Sequence, residues 1–164
     1  MKFCTIITTR SKSCSVKTLH TILKMNIHCI RGSHQNEILY VNDDPFEKAN
    51  MIKNCISKCD RIFFIDFGIN VDDESIKQLF QPHDNTSVLV FPGVVDGIDW
   101  DLFKKKVREG SSEPVSQMGL NFDTEIAQKV QKDIYKVKKT NARTWVMMTK
   151  SVNKKSKKIY AANM

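Results

Sequence analysis

No apolar run in this 164-residue chain approaches the roughly 20 residues that a membrane-spanning helix needs, so no membrane span is expected. No basic region followed by a long apolar segment is visible at its start, so no secretory signal is expected either. Cysteine is absent after Cys59. The five that precede it, Cys4, Cys14, Cys29, Cys55 and Cys59, are odd in number and irregular in spacing, which argues against a disulfide framework. Cys55 and Cys59 have helical spacing, but no second ligand pair follows at a zinc-site distance. Buried structural thiols in a reducing, cytoplasmic compartment are the expected reading. Histidine is absent after His83, and the second half carries no zinc-finger, RNA-recognition or helix-turn-helix signature. No internal repeat or interdomain linker stands out. The expectation is one domain over 1–152 and a basic, solvated tail over 153–164.

A hydrophobic fraction of 41% with 9% aromatics indicates a chain that can build a core rather than a disordered one. The net charge of +8 is unevenly spread: 11 basic and 13 acidic residues run up to Phe103, against 15 basic and 5 acidic from Lys104 onward. Such asymmetry points to an anionic partner: phosphate, nucleic acid or an acidic protein surface.

The stretch 59–72 organises the rest. Ile62, Phe63, Phe64, Ile65 and Phe67 are interrupted by one carboxylate, Asp66, and bounded by charges and Gly68. A short apolar run of this kind reads as a strand buried on both faces at the centre of a parallel sheet. Asp66 at its carboxyl end either faces the crevice where open α/β sheets bind ligands or caps the following turn. Around it, 2–9 reads as a first strand, 27–30 as a short second and 37–41 as a third. A helix opened by Ser15 carries Val16, Leu19, Ile22 and Leu23 as its expected buried stripe. A helix over 46–58 follows Asp44-Pro45, and Asp72-Asp73-Glu74 opens another with Ile76, Leu79 and Phe80 inward. Residues 87–91 form a further strand. Beyond it, 94–101 is an irregular loop anchored by Trp100, 102–109 a short helix, 124–139 an amphipathic helix, and 144–149 a last strand. The order predicts an α/β fold: three layers around a mostly parallel central sheet.

These residues resemble the nucleotide-binding half of GT-A-fold glycosyltransferases, particularly small viral and bacterial members. The matching segments are Thr8-Thr9-Arg10 after the first strand, the helix around Thr18 to Leu23, Asn42-Asp43-Asp44, Ala49-Asn50, Asp60-Arg61 and Asp66-Phe67-Gly68. The resemblance covers about 2–92, with a fainter echo at Asn121-Phe122-Asp123 and 144–149; its motifs are short, and their order carries more than any one of them. It implies a GT-A or Rossmann-like sheet, nucleotide contacts from Thr8, Thr9, Arg10, Asn50 and Asp66, and a metal at Asp66.

The chain departs from that pattern at Gly68, where the family's second metal-binding aspartate would stand. One carboxylate is a weak cage for Mg²⁺ or Mn²⁺, so no cofactor is expected unless the degenerate site still holds one of these ions. A metal-free reaction needs cations on the leaving diphosphate, for which Lys138, Lys139 and Arg143 are candidates. It also needs a base, for which Asp99 and Asp101 are candidates, although both equally suit a helix cap. The acceptor-side region is short or incomplete. The implied function is a glycosyltransferase-like module, inactive or weakly active, in a binding or structural role. The viral resemblance and a Lys/Asn-rich composition suggest host cytoplasm or the particle of a large DNA virus. The alternatives are a small metal-weak transferase acting on a nucleotide-sugar, a protein partner bound through the basic half, and, ranked last, a nucleic-acid-binding protein.

Overall fold

The structure is a computed structural model that describes residues 1–95, 97–131, 133–152 and 159–162. The first part alternates strand and helix: β1 (Lys2–Thr9), α1 (Val16–Arg31), β2 (Gln35–Asn42), α2 (Pro45–Ile56), β3 (Arg61–Ile65), α3 (Asp73–Gln78) and β4 (Val88–Val90). The second part is α4 (Trp100–Arg108), β5 (Thr124–Gln131), β6 (Ile134–Thr140), β7 (Thr144–Met148), α5 (Thr149–Val152) and β8 (Ile159–Ala162). All eight strands join one sheet in the order β2-β1-β3-β7-β4-β8-β6-β5.

The α/β class is as expected, but the sheet is mixed rather than mostly parallel. Only β1–β2, β1–β3 and β4–β8 run parallel; the other four neighbours are antiparallel. Two of the four come from β7, which returns from the carboxyl half and inserts between β3 and β4, and the other two come from β6, which pairs with β5 and β8. Thus β3 is central and all five of its residues are buried, as its unbroken apolar run requires.

Alternation along the strands divides the core in two. Phe3, Ile7, Phe63, Ile65, Leu89 and Val146 point to the face covered by α1 and α3. Cys4, Ile6, Ile62 and Phe64 point to the face covered by α2, as the period of two demands. Cys4, Cys29 and Cys55 are buried, Cys14 and Cys59 are half-buried, and all five are free thiols. At the foot of β3, the buried Arg61 guanidinium donates to the carbonyls of Leu79 and, at 2.7 Å, Gln81. It thereby satisfies the carboxyl end of α3, whose last carbonyls lack helical partners.

Several expected elements differ. Residues 27–30 are the last turns of α1, not a strand, because Ile22, Met25 and Cys29 continue one helical stripe onto the sheet. Of the expected inward stripe of α1 only Ile22 is buried: Val16, Leu19 and Leu23 are exposed, while Thr18 and Thr21 are buried beside Ile22. Those hydroxyls bind the backbone of the loop after β3. Thr18 Oγ1 accepts from Gly68 N–H at 3.1 Å and donates to Ile69 O at 3.2 Å, and Thr21 Oγ1 accepts from Val71 N–H at 2.9 Å. Buried backbone groups need such partners, so polar side chains are drawn inward here.

Residues 124–139 form the β5–β6 hairpin rather than a helix. Basic and apolar residues alternate there, a pattern that also fits period two, and Asp133 takes φ 57° at the turn. Trp100 does not anchor a loop: it opens α4, 61% exposed, with its ring edge-on to Phe103 at 5.9 Å. Strand β7 is not the last, since Ile159–Ala162, expected within the basic tail, forms β8 beside β4 and β6. The lysine-rich segment 153–158 lies outside the described residues.

Candidate functional site

The parallel strands β1, β2 and β3 end on the same side of the sheet, with Thr9 opposite Asn42 and Ile7 opposite Ile65. The residues that leave them, Arg10, Asp43 and Asp66, therefore share one edge, the place where open α/β sheets collect ligand-binding side chains. They form a chain of alternating charge. Arg10 Nε lies 2.9 Å from Asp43 Oδ2, and Lys48 Nζ lies 2.5 Å from Asp43 Oδ1 and 3.9 Å from Asp66 Oδ1. Arg143 closes the chain, with Nε 3.1 Å from Asp66 Oδ2 and Nη2 donating to Phe67 O at 2.8 Å. The Arg10 guanidinium sits 5.2 Å over the Phe67 ring, a cation–π contact. The hydrogen bond from Lys48, aided by Arg10, holds the Asp43 carboxyl below its ordinary range.

Local structure explains the placement. Asp44 caps α2 by accepting from Phe46 N–H and Glu47 N–H at 3.0 and 2.8 Å, which orients Lys48 one turn further along. The β3–β7 pairing sets Arg143 beside Asp66, and Asp66 N–H donates to Arg143 O at 3.0 Å. Asp66 also accepts from Phe67 N–H at 2.9 Å. Asp66 thus stands at the carboxyl edge of the sheet, and its side chain does not cap the turn through Gly68 or Ile69, since Gly68 N–H goes to Thr18 Oγ1 and Ile69 N–H to the Asp66 carbonyl. Its side chain is only 13% exposed, against 44% for Arg143. Gly68 follows at φ 80°, with nothing within 4 Å of where a Cβ would stand.

Beside this network is a cavity of about 310 Å³ lined by Lys17, Asn70, Asp72, Asp123, Arg143 and Thr144, among others. Asp72 caps α3, accepting from Ser75 N–H at 2.8 Å and Ser75 Oγ at 2.9 Å. Asp123 accepts from Gly93 N–H at 3.1 Å and Thr124 Oγ1 at 2.8 Å. An open groove of about 400 Å³ lies on the β2 side of the same edge, with Thr9, Lys12, Tyr40 and Asn42 in its walls.

Of the sequence candidates, Thr9, Arg10, Asp66 and Arg143 come together at this edge. Thr8 does not reach it: the residue is fully buried and its hydroxyl has no partner. Asn50 lies exposed on α2, away from the charged chain. Lys138 is paired with Glu125 at 2.6 Å on the outside of the hairpin, while Lys139 shares a shallow depression with Arg143. Asp99 caps α4 through Leu102 N–H at 2.8 Å. That bond, with a second from Asn121, holds its carboxyl below the ordinary range, a poor setting for a general base. Asp101 projects fully into solvent in the first turn of α4.

Sequence reading missed Lys48, and it placed Asp43 and Asp123 in segments of the resemblance without giving either a role. Asp43 sits in a run that also ends a strand and opens a helix, and Lys48 is one of many lysines, so neither stands out from the chain alone. Among the described residues, no three His, Cys, Asp or Glu side chains group where a metal ion could sit, and no helix is long and apolar enough to cross a membrane. Comparison with known proteins returns no match: no protein-family model, curated protein or solved structure matches this chain.

Proposed function

We propose that this chain is a glycosyltransferase-like module of the GT-A type in which the donor-site carboxylate is held by a protein cation instead of a metal. It serves a binding or structural role in a reducing, cytoplasm-like compartment. The observation that supports this reading is the Asp66–Arg143 pair at 3.1 Å, with Asp66 only 13% exposed. At the position that the family resemblance gives to the metal, a guanidinium already supplies the countercharge. The second carboxylate position is Gly68. A hard divalent cation would have to displace Arg143 and then rely on one protein oxygen ligand, where it needs several.

A second reading, a metal-independent transferase, is favoured by the charge balance of the same network. Arg10, Lys48 and Arg143 outnumber Asp43 and Asp66 by one positive charge. Arg10 and Arg143 are each about half exposed, so both could turn toward a diphosphate. Calorimetric titration with UDP, GDP and their sugar conjugates, with Mn²⁺ and with chelator, tests both. The expected result is weak binding that Mn²⁺ does not change, without sugar release. Turnover without metal promotes the second reading, and tight, strictly Mn²⁺-dependent binding overturns both.

A further inference from the structure

The sheet has two edges, and they are built differently. Edge strand β5 is broken by three register shifts against β6 and presents Lys129 and Glu125, the devices that keep an edge from pairing further. Edge strand β2 has no register shift and only one charge, Glu37. It pairs with β1 in unbroken register from Gln35 to Asn42. Its sequence, QNEILYVN, holds one charged residue, no lysine and no proline. Among the described residues no strand pairs with its outer side.

Next to this edge runs helix α1. Val16 is 80% and Ile30 79% exposed, and Leu19, Leu23 and Ile27 between them are each about half exposed. Five aliphatic side chains thus form one outward ridge on a helix that buries threonines. Two contacts fix which way the ridge leans. Asn26 accepts at 2.8 Å from Asn36 of β2, while Lys24 reaches Asp73 of α3, also at 2.8 Å, on the other flank. At about 100° per residue, Leu19, Ile30 and Leu23 lie roughly 20°, 40° and 60° from Asn26, whereas Lys17, Lys24 and Arg31 lie roughly 140–180° away. The ridge therefore runs from the β2 flank, at Leu19, Ile30 and Leu23, to the outward face, where Val16 and Ile27 lie roughly 80° and 100° from Asn26, and the basic row faces α3.

We propose that the β2 edge and the α1 ridge form one interface, and that its occupant is a second copy of this chain. A twofold axis normal to the sheet sets β2 antiparallel to its copy, so the outer N–H and C=O groups meet an identical strand, except Asn42 N–H, which already donates to Glu47 Oε2 at 3.3 Å. The same axis lays α1 along α1 on the same face. Such an isologous contact needs a patch that complements itself, and an almost uncharged strand beside an aliphatic ridge meets that need. The basic rows point away from the axis, so the pairing does not oppose them. The five ridge side chains, 47–80% exposed, and the strand edge together supply the apolar and hydrogen-bonding surface of the contact, for which a stable interface needs roughly 800 Å² per partner. An acidic partner would be drawn to the basic row instead, on the opposite flank.

Sedimentation of the full chain up to about 100 µM, a range that detects micromolar association, tests the proposal. The expected result is a dimer, with β2 amides that lose hydrogen-exchange protection on dilution. Leu23→Glu and Ile30→Glu, both on exposed positions, are each expected to give a monomer with an unchanged circular dichroism spectrum. A wild-type monomer at the highest concentration overturns the proposal. So does a dimer that survives both substitutions, or β2 amide protection that does not depend on concentration.

Discussion

Strands β1 and β3 are joined through helices and buried along nearly their whole length, whereas β5 and β6 are joined by a turn and leave most of their residues exposed. The charge follows the same division, with the acidic excess up to Phe103 and the basic excess beyond it. The two regions meet where β7 pairs with β3, and there Arg143 from the basic half neutralises Asp66 from the other. The buried half supplies the rigid edge and most of the site residues; the exposed half supplies the cation that closes the site.

The sharpest test of this contrast is stability. Phe63→Ala in β3, fully buried in the core, is expected to cost about 3–5 kcal/mol in urea unfolding. Val130→Ala in β5, 51% exposed, is expected to stay within about 0.5 kcal/mol. Equal losses would show that the hairpin is as integral to the core as β3.

Next is the tie between α1 and the site loop. Thr21→Val keeps the shape but leaves Val71 N–H without its 2.9 Å acceptor, at an expected cost of about 1–3 kcal/mol. A neutral or stabilising result would mean that hydrophobicity, not backbone satisfaction, sets the inward face of α1.

Arg143→Ala removes the bridge between the halves. The stability loss is expected near 1 kcal/mol, because the guanidinium is nearly half exposed and the pair is screened by solvent. The same variant frees Asp66 but still leaves a single carboxylate, so nucleotide diphosphate binding is expected to stay independent of Mn²⁺ in calorimetry. A gained Mn²⁺ dependence would show that Asp66 alone, once released from Arg143, suffices as a metal ligand.

Gly68→Asp restores a second carboxylate. The site has open space but φ is 80°, a conformation that costs an L-residue about 1 kcal/mol and that aspartate tolerates better than most. A loss of that size with new Mn²⁺ dependence is expected, and no gain in metal response would indicate that the turn directs the new side chain away from Asp66.

The last effect is alkaline. Burial, with Cys4 close by, raises the Cys55 thiol to about 11 and the Cys59 thiol to about 12, from an ordinary 9.0. Their folded pKa values exceed the unfolded ones, so this contribution is complete below pH 9 and fades as pH rises towards 11–12. Unfolding midpoints are expected to fall over that window, and Cys59→Ala to flatten the fall. An unchanged slope would assign the alkaline limb to other groups.

Much of the buried half was legible. The run from Ile62 to Ile65 names a central strand because no other element buries consecutive large apolar residues on both faces. Asp44-Pro45 and Asp72-Asp73-Glu74 name helix starts because each places an acceptor where unpaired N–H groups stand. Within the site, Thr9, Arg10 and Asp66 were legible because they follow the ends of such strands. The hairpin was not, since Ile126, Val130, Ile134 and Val137 satisfy a helical period as well as they punctuate an alternating one.

The sequence by itself determined the α/β class, the buried strand β3, the caps of α2 and α3 and the edge at which the charged residues gather, all of which depend on local periodicity and local hydrogen-bonding chemistry. Ser15, by contrast, makes no side-chain cap on α1. Only the tertiary structure decided the antiparallel insertion of β7, the inward face of α1 and the pairing of Asp66 with Arg143. Strand pairing is a contact between residues far apart in the chain, and Asp66 and Arg143 are 77 positions apart. Helix α1 carries two interleaved stripes of helical period, and the sheet selected the one whose threonines could satisfy the backbone of the loop beside it.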